Sequence, residues 1–252
     1  MKSQKYSQFW VLAFFVFFIF VCAPGMISPY LDNRAHAAIA ESFETDESVP
    51  VAISDPYEPF NRSMFNLNDK IYFFVIKPVG TVYAAYFPPG FRGAIRNGFH
   101  NAFFPVRFIN CLLQNKGDKA GTEVARFAIN TTLGIGGLFD PAKTEFRIEK
   151  HEEDFGQTLA VWGAGTGSYW VVPVIGPTNT RDLVGYIVDH AMDPLVWVPA
   201  EWYVSASVSA GKLFNNASLR IGQYEDFKKA AIDPYVSLRS AYQQYRVKEI
   251  AK

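Results

Sequence analysis

Residues 55–74 read DPYEPFNRSMFNLNDKIYFF, and this stretch indicates the fold class. Its prolines favour a turn, and Pro59 suits the first turn of a helix because the N–H groups there have no partner within the helix. Apolar residues then recur every three or four positions, the spacing of one helical face. They are Phe60, Met64, Leu67, Ile71 and Phe74. We therefore predict an amphipathic helix with a wide polar side.

Further amphipathic helices are predicted downstream, separated by proline and glycine. Proline lacks the N–H group that a helix interior needs, so Pro78 and the prolines at 88–89 are expected to separate one helix from the next. A second aromatic stripe follows, formed by Phe91, Ile95, Phe99 and Phe103. Later helices are expected at residues 106–114, 118–132 with Asp118 as the cap, 154–162, 181–191, 200–230 and 235–250. Asp193 before Pro194 is expected to stop the helix at 181–191.

Two segments have the pattern of strands. Residues 144–149 (TEFRIE) alternate polar with apolar, as a half-buried strand or hairpin does, and residues 169–175 (YWVVPVI) are apolar and read as extended. No internal repeat is present in the sequence, so a solenoid is not expected. The prediction is a mainly α, single-domain protein with a small hairpin.

The composition excludes some partners and favours others. The 252 residues include 24 Lys and Arg and 24 Asp and Glu, so the charge balance gives no reason to expect nucleic acid. Aromatic residues make up 16% of the chain. Such rings suit the boundary between lipid headgroups and acyl chains, although a phenylalanine-rich core has the same composition.

The N-terminus predicts export from the cytoplasm. Lys2 and Lys5 precede an apolar run at 9–22, which matches a secretory signal peptide. The run is shorter than the roughly 20 residues that a membrane-spanning helix needs. We assign residues 1–37 to the signal peptide, residues 38–54 to an acidic, flexible tether, and residues 55–252 to a helical domain.

Two cleavage sites compete, and they differ in whether the product carries a lipid. Cys22 lies where a lipoprotein is cut and lipidated, but the bulky residues at 19–21 make a poor lipobox. Residues 35–37 (AHA) form an A-x-A site that favours an unmodified chain starting at Ala38. With that cut only Cys111 remains, so an intramolecular disulfide is not possible.

The glycine-rich and acidic motifs have structural interpretations. Residues 134–137 (GIGG) lack the spacing of a nucleotide-binding loop and instead predict a tight turn with glycines at positive φ. Residues 151–154 (HEED) lack the H-E-x-x-H spacing of a metal site, and acidic residues suit the start of a helix. We therefore expect no metal and no cofactor.

A lipid hydrolase is the main enzymatic alternative, because aromatic grooves also suit acyl chains. The G-x-S-x-G motif of such enzymes is absent from the sequence: Ser168 directly follows Gly167, and Ser209 has Gly211 but no glycine two residues before it. The remaining histidines permit a Ser-His-Asp triad without supporting it. A non-enzymatic envelope scaffold is a further alternative.

Several ordered motifs are more specific than any of these features. They are DPYEPFNR at 55–62, residues 110–114, RFAINTTLGIGGLFD at 126–140, EDFGQTL at 153–159, GSYW at 167–170, and residues 172–177, continued by Arg181, Asp182 and Gly185. In order and spacing the sequence resembles the MlaA/VacJ family. The chain differs from most members at the poor lipobox around Cys22.

The resemblance implies a ring-like bundle of interfacial helices in the inner leaflet of the outer membrane of a Gram-negative bacterium. A central amphipathic channel would pass phospholipids that are misplaced in the outer leaflet. The implied partners are a trimeric porin and a periplasmic MlaC-like carrier, with no nucleic acid. Movement down a gradient needs no catalytic residue, so we expect no enzyme activity.

The candidate site residues lie in the first helix and the glycine-rich turn. Asn61, Arg62, Asn66, Asn68 and Asp69 are costly to bury without partners, and a water-lined channel would satisfy them. The apolar stripe, including Leu67, would pack on other helices or on lipid. Gly134, Gly136 and Gly137 would let the segment that carries Phe139 and Phe146 act as a moving lip.

Overall fold

The computed structural model describes residues 55–252, so the signal peptide, the tether and Cys22 lie outside the described residues. The described part is mainly helical with one two-stranded hairpin. Its helices are α1 (Glu58–Ile71), α2 (Lys77–Tyr86), α3 (Pro89–Ala102), α4 (Phe104–Leu113), α5 (Gly117–Thr132), α6 (Pro141–Thr144), α7 (Phe155–Val161), α8 (Thr180–Met192), α9 (Trp202–Ser218), α10 (Gln223–Ala230) and α11 (Pro234–Ala251). The strands are β1 (Tyr169–Val172) and β2 (Gly176–Asn179).

Pro78 was predicted to interrupt the helical structure, but it does not. A π-helical turn, Tyr72–Ile76, joins α1 to α2, and the backbone N–H of Lys77 donates to the carbonyl of Tyr72 five residues earlier. Pro78 is the second residue of α2, directly after this wider turn, where its missing N–H and its ring are tolerated. α1, the π-helical turn and α2 therefore follow one another without a gap.

The hairpin lies at residues 169–179, and the strand or hairpin predicted at 144–149 was wrong. There the short helix α6 is followed by a turn in which Arg147 has a φ of 56°. Asp140 caps α6 by accepting from the N–H of Lys143, and Pro141 occupies its first turn. This local capping outweighs the alternating pattern. In the true hairpin the strands are antiparallel, with Tyr169 opposite Asn179 and Val172 opposite Gly176.

Two further boundaries differ from the prediction. Residues 200–230 form two helices, because the chain reverses between Ser218 and Gln223 through Gly222 at a φ of 101°. α5 begins at Gly117, so Asp118 lies in its first turn and not at the cap. The stop at Asp193 before Pro194 is confirmed, and Asp154 caps α7 by accepting from the N–H of Gln157.

The main apolar core lies where α1, the hairpin, α10 and α11 meet. Its members are Phe65, Tyr169, Val171, Phe227, Tyr235, Leu238, Ala241, Tyr242 and Tyr245. The rings of Phe65 and Tyr235 pack edge to face at a centroid distance of 5.9 Å, a favoured aromatic geometry. This core fixes the C-terminal helix α11 against the first helix.

A buried ionic cluster ties α11 to α7 and α8. The guanidinium of Arg246 lies 2.8 Å from Asp154 and 2.7 Å from Asp182, and the hydroxyl of Tyr242 donates to Asp182 at 2.6 Å. α7 and α8 approach so closely that a Cβ on Gly185 would lie 2.3 Å from the backbone nitrogen of Gly156. Charges buried in this way hold the helices in one arrangement because neither partner tolerates the loss of the other.

Candidate functional site

A cavity of about 250 Å³ lies among α3, α9, α11 and the segment between α5 and α7. Most of its lining side chains are charged or amide-bearing, and three are aromatic. The lining residues are Arg96, Asn97, Phe99, His100, Phe103, Arg107, Asn130, Asp140, Lys143, Lys150, Glu152, Glu153, Asp154, Asp189, Lys212, Asn216, Arg220 and Tyr245. The cavity is therefore amphipathic.

The carboxylates of the cavity wall each have a partner inside the protein. Asp140 accepts two hydrogen bonds of 2.9 Å from Arg126 and one of 2.8 Å from Asn130. Burial opposes ionisation of Asp140, but these bonds hold the pKa of its carboxyl below the usual value. Asp154 pairs with Arg246, as described above.

The other three carboxylates are satisfied in the same way. The carboxylate of Glu152 contacts His100 and Lys150, and that of Glu153 contacts Lys116 and Lys119. The carboxylate of Asp189 accepts from the side chain of Asn110 and from the backbone N–H of Phe155. Burial lowers the pKa of the His100 imidazole. Four carboxylates of the wall are thus paired with an arginine or lysine, and Asp189 accepts hydrogen bonds from neutral groups.

Some cations of the wall are held by partners within the protein, and others are exposed. Arg107 is held, because it lies 2.8 Å from the fully buried Glu123 and also donates to the carbonyl of His100 at 2.8 Å. Arg96, Lys143 and Lys150 are exposed to solvent. Lys212 lies 5.5 Å and 5.7 Å from the ring centroids of Phe99 and Phe103.

Outside this cavity, many polar side chains are buried beside the apolar core and many large apolar side chains are exposed. Polar and charged side chains, such as Asn110, Gln157 and Arg246, are almost fully buried, while large apolar side chains lie on the surface. The exposed set includes Phe74, Tyr86, Phe87, Phe91, Leu112, Phe127, Leu133, Ile135, Phe139, Phe146, Trp162, Ile187, Trp197, Trp202 and Tyr203. Exposed apolar surface on this scale is typical of a protein that contacts lipid or another protein.

Residues 55–252 contain neither a helix suited to span a membrane nor a group of side chains suited to hold a metal ion. Within this range no helix combines the length and the apolar character needed to cross a bilayer. The same range contains no group of three or more His, Cys, Asp or Glu side chains placed to hold a metal ion. Cys111 is buried and unpaired, and burial raises the pKa of its thiol to about 12.

The structure corrects the expected partners of the polar residues in α1. Asn61 bonds to Asp55 and to the backbone of Tyr169 and Val171, and Asn68 bonds to the backbone of Val172 and Val174. These amides hold the hairpin and are not satisfied by a water-lined channel.

The two charged candidates in α1 contact α10 and the start of α11. Arg62 pairs with Glu58 and Asp233, and Asp69 accepts from Tyr224 and Lys228. Asn66 is exposed and Leu67 is half-buried. No candidate from α1 is among the residues that line the cavity.

The glycine-rich turn lies close to the cavity and has the predicted backbone conformation. Gly136 and Gly137 have φ values of 69° and 91°. A Cβ on Gly137 would lie 2.3 Å from Cβ of Asn101, and one on Gly134 would lie 2.4 Å from the carbonyl oxygen of Asn130. The turn therefore needs glycine at 134 and 137 for close packing, and at 136 and 137 for backbone conformation. Phe139 and Phe146 after it are exposed.

Sequence reasoning missed the cavity wall because its residues come from distant segments. Residues 151–154 were interpreted as a helix start, which is correct for Asp154, but Glu152 and Glu153 also line the cavity. The available signal was an excess of Asn and charged residues at positions that helical spacing places on one side of α3. Pairing α3 with α9 could not be derived from that spacing.

Buried charges, an amphipathic cavity and many exposed apolar side chains define the class of this protein as a mainly helical protein with one small hairpin and an apolar exterior. The chain belongs to the MlaA lipoprotein family, whose model matches residues 53–249. The resemblance noted from the sequence motifs is thereby confirmed.

The relatives include named and unnamed proteins. The chain is 35% identical over 201 residues to the intermembrane phospholipid transport system lipoprotein MlaA of Haemophilus influenzae, which covers 76% of this chain and 77% of that protein. It is 30% identical over 202 residues to the protein of that name in Escherichia coli, covering 76% of each. An uncharacterized protein of Rickettsia bellii is 34% identical over 196 residues, or 77% of this chain and 76% of that one.

A solved structure shares the fold. It belongs to work on the structural basis for maintenance of bacterial outer membrane lipid asymmetry. Its TM-score is 0.68 with 29% sequence identity, and the match covers 79% of this chain and 100% of that chain. The family consists of non-enzymatic lipid-transport lipoproteins, so the prediction that the chain is not an enzyme is confirmed by family membership.

Proposed function

We propose that this protein is the outer-membrane component of an intermembrane phospholipid transport system that maintains lipid asymmetry. It takes phospholipids that are misplaced in the outer leaflet and passes them to a periplasmic carrier. The observation that carries the proposal is the amphipathic cavity of about 250 Å³ among helices that expose many large apolar side chains. Family membership supports the same function.

The size of the cavity indicates that the headgroup and the acyl chains of a lipid would lie in different places. Pockets that enclose a whole drug-sized ligand are about 300–1,000 Å³. The cavity suits a headgroup and not a complete lipid, so the acyl chains would run along the exposed apolar surface. The helices would form a ring around this passage and lie in the inner leaflet, with their exposed apolar side chains against acyl chains.

The partners and the location follow from the same proposal. A trimeric porin would hold the ring beside its outer wall, and an MlaC-like carrier would collect the lipid on the periplasmic side. Export would use the signal peptide at residues 1–37, followed by a tether at 38–54 and the folded domain at 55–252. A cut before Ala38 gives an unmodified N-terminus, and mass spectrometry that finds a diacylglyceryl group on Cys22 would refute that cut.

The residues predicted from the sequence have a role in this proposal as supports of the passage. Asn61 and Asn68 fix the hairpin, while Arg62 and Asp69 fix α10 and α11. Gly134, Gly136 and Gly137 shape the turn next to the wall residues Asn130 and Asp140. The residues that would contact acyl chains or the rim of the passage are Asn66, Leu67, Phe139 and Phe146.

A deletion strain tests the proposed function. Loss of the gene should place phospholipids in the outer leaflet and sensitise the cells to detergent, and the wild-type gene should restore the barrier. Asn97→Trp fills the cavity and should fail to restore it. Lys229→Trp adds the same ring at the exposed surface of α10 and should succeed. An intact barrier in the deletion strain, or full rescue by Asn97→Trp at normal protein level, would count against transport through the cavity.

A further inference from the structure

We propose that the cavity selects its lipid by the phosphodiester of the headgroup, through Arg96 at its wall, and is indifferent to an ammonium group. This inference rests on the proposed function and names the chemistry by which the same cavity recognises its substrate. It concerns the headgroup only, since the acyl chains lie outside the cavity.

The first step is that the wall has no carboxylate in need of a cation. Asp140, Glu152, Glu153 and Asp154 each pair with an arginine or lysine at 2.6–3.1 Å, and Asp189 accepts from an amide and from a backbone N–H at 2.9–3.0 Å. An incoming ammonium would have to displace one of these partners. The gain from binding such a group is therefore small.

The second step is that two cations of the wall, unlike its carboxylates, are available to bind a ligand. Within residues 55–252, Arg96 makes no hydrogen bond or ion pair, and its side chain is exposed while lining the cavity. Lys143 also lines the cavity, and its only ion pair in the same range is with Glu149, in which both side chains are more than half exposed. Exposed pairs of that kind are weak, so a phosphate can compete for Lys143.

The third step is the geometry of the groups. A guanidinium offers paired N–H donors that match two oxygens of a phosphodiester, and Arg–phosphate pairs are often bidentate. Asn97 lies next to Arg96 along α3 and also lines the cavity. Phe99 and Phe103 supply apolar wall for the glycerol backbone. The structure thus offers Arg96 as the residue that distinguishes a phospholipid from a neutral lipid with the same acyl chains.

The test is lipid binding by the full mature protein in neutral detergent, followed by native mass spectrometry. The probes are phosphatidylglycerol, phosphatidylethanolamine and diacylglycerol with identical acyl chains. The wild type should bind the two phospholipids similarly and diacylglycerol about tenfold more weakly. Arg96→Gln should lose most of this preference, Arg96→Lys should keep part of it, and Lys229→Gln at the surface of α10 should behave like the wild type.

The possible failures are distinguishable. No binding of any lipid by the wild type would overturn the proposed function together with this inference. Equal binding of all three lipids would overturn the inference alone, as would a strong preference for phosphatidylethanolamine or an Arg96→Gln variant that matches Lys229→Gln. Inorganic phosphate should compete only weakly. If equimolar phosphate displaces the lipid, the cavity is a site for free phosphate and the lipid assignment fails.

Discussion

The side-chain carbonyl of Asn61 accepts a hydrogen bond of 2.9 Å from the backbone N–H of Val171. The amide group of the same side chain donates to the carbonyl of Tyr169 at 3.0 Å. Asn68 repeats this pattern with Val174 and Val172 at 2.7 and 3.0 Å. Two helix side chains therefore bond to the backbone of β1 and, at Val174, to that of the turn after it, where φ is 67°.

The spacing of these two asparagines explains why the arrangement fits. Seven helical residues rise about 10.5 Å at roughly 1.5 Å per residue. The carbonyls that they bind, those of Tyr169 and Val172, are three residues apart within β1, which corresponds to about 10 Å of strand. A helix and a strand of different periods thus coincide at these two contacts, and the hairpin has one position relative to α1.

The first prediction is that Asn68→Leu destabilises the fold. The change leaves the carbonyl of Val172 and the N–H of Val174 without their side-chain partner, at a cost of about 2 kcal/mol. Asn66→Leu on the same helix is the matched control, because Asn66 is exposed and makes no hydrogen bond within residues 55–252. Thermal unfolding should separate the two variants, and equal stability would contradict the role of Asn68.

The same two variants, Asn66→Leu and Asn68→Leu, test the prediction that α1 governs lipid traffic. If Asn66 lies at the rim of the passage, Asn66→Leu should disturb traffic in the deletion strain while the protein stays folded. If the contribution of α1 is to hold the hairpin, only Asn68→Leu should do so. Full rescue by both variants would remove α1 from the functional site.

The second prediction concerns the glycine-rich turn. Gly136→Val should lower stability by about 1–2 kcal/mol, because a side chain is strained at its φ of 69° even though the surrounding space is open. We also expect it to reduce lipid traffic by stiffening the turn. Gly121→Ala is the control, since Gly121 lies within α5 with nothing in contact range, and it should stabilise the helix by about 0.5–1 kcal/mol. Equal behaviour of the two variants would contradict the assignment.

The third prediction is that Arg246→Met costs far more stability than its removal of one charge suggests. Both Asp154 and Asp182 would lose the Arg246 guanidinium, although Asp182 would keep Arg181 at 3.0 Å, and the cost should be about 3–5 kcal/mol. Lys229→Met breaks a surface pair with Asp226 in which both side chains are more than two-thirds exposed, and should change stability by less than about 0.5 kcal/mol. Chemical unfolding measures both. A loss below about 1 kcal/mol for Arg246→Met would show that water reaches the cluster.

The fourth prediction is a loss of stability on mild acidification. Burial lowers the pKa of His190, and of His100 and His151, below the usual value of 6.5. As pH falls below 6.5 the unfolded chain binds protons that the folded chain refuses, so stability present above that pH declines towards the lowered folded pKa values. His190→Gln should make the decline between about pH 7 and about pH 5 shallower. Identical slopes, or a gain of stability on acidification, would contradict it.

Local patterns were enough for much of the fold. The helix at the start of the domain, the cap at Asp154 and the stop at Asp193 each depend on neighbouring residues, and each was predictable. The strand predicted at 144–149 failed because Asp140 and Pro141, just before it, start a helix that the alternation does not reveal. Pro78 was misjudged because a π-helical turn compensates for it, and periodicity does not show such turns.

The functional site was harder to predict than the fold. Asparagines in α1 were rightly recognised as needing partners, but the partners lie more than 100 residues later in the hairpin. Arg96 and Lys212 line one cavity from helices that only tertiary packing brings together. The family motifs identified the class of protein because they record this packing indirectly.

The central claim is that the phospholipid headgroup passes through the amphipathic cavity, and site-specific photocrosslinking tests it most directly. p-Benzoylphenylalanine replaces Phe103 in the cavity wall or Gln223 at the exposed start of α10, in cells whose phospholipids are radiolabelled. Irradiation should attach labelled phospholipid to the protein at position 103 and not at position 223. Absence of label at position 103, in a variant that still restores the outer-membrane barrier, would show that phospholipid takes another route.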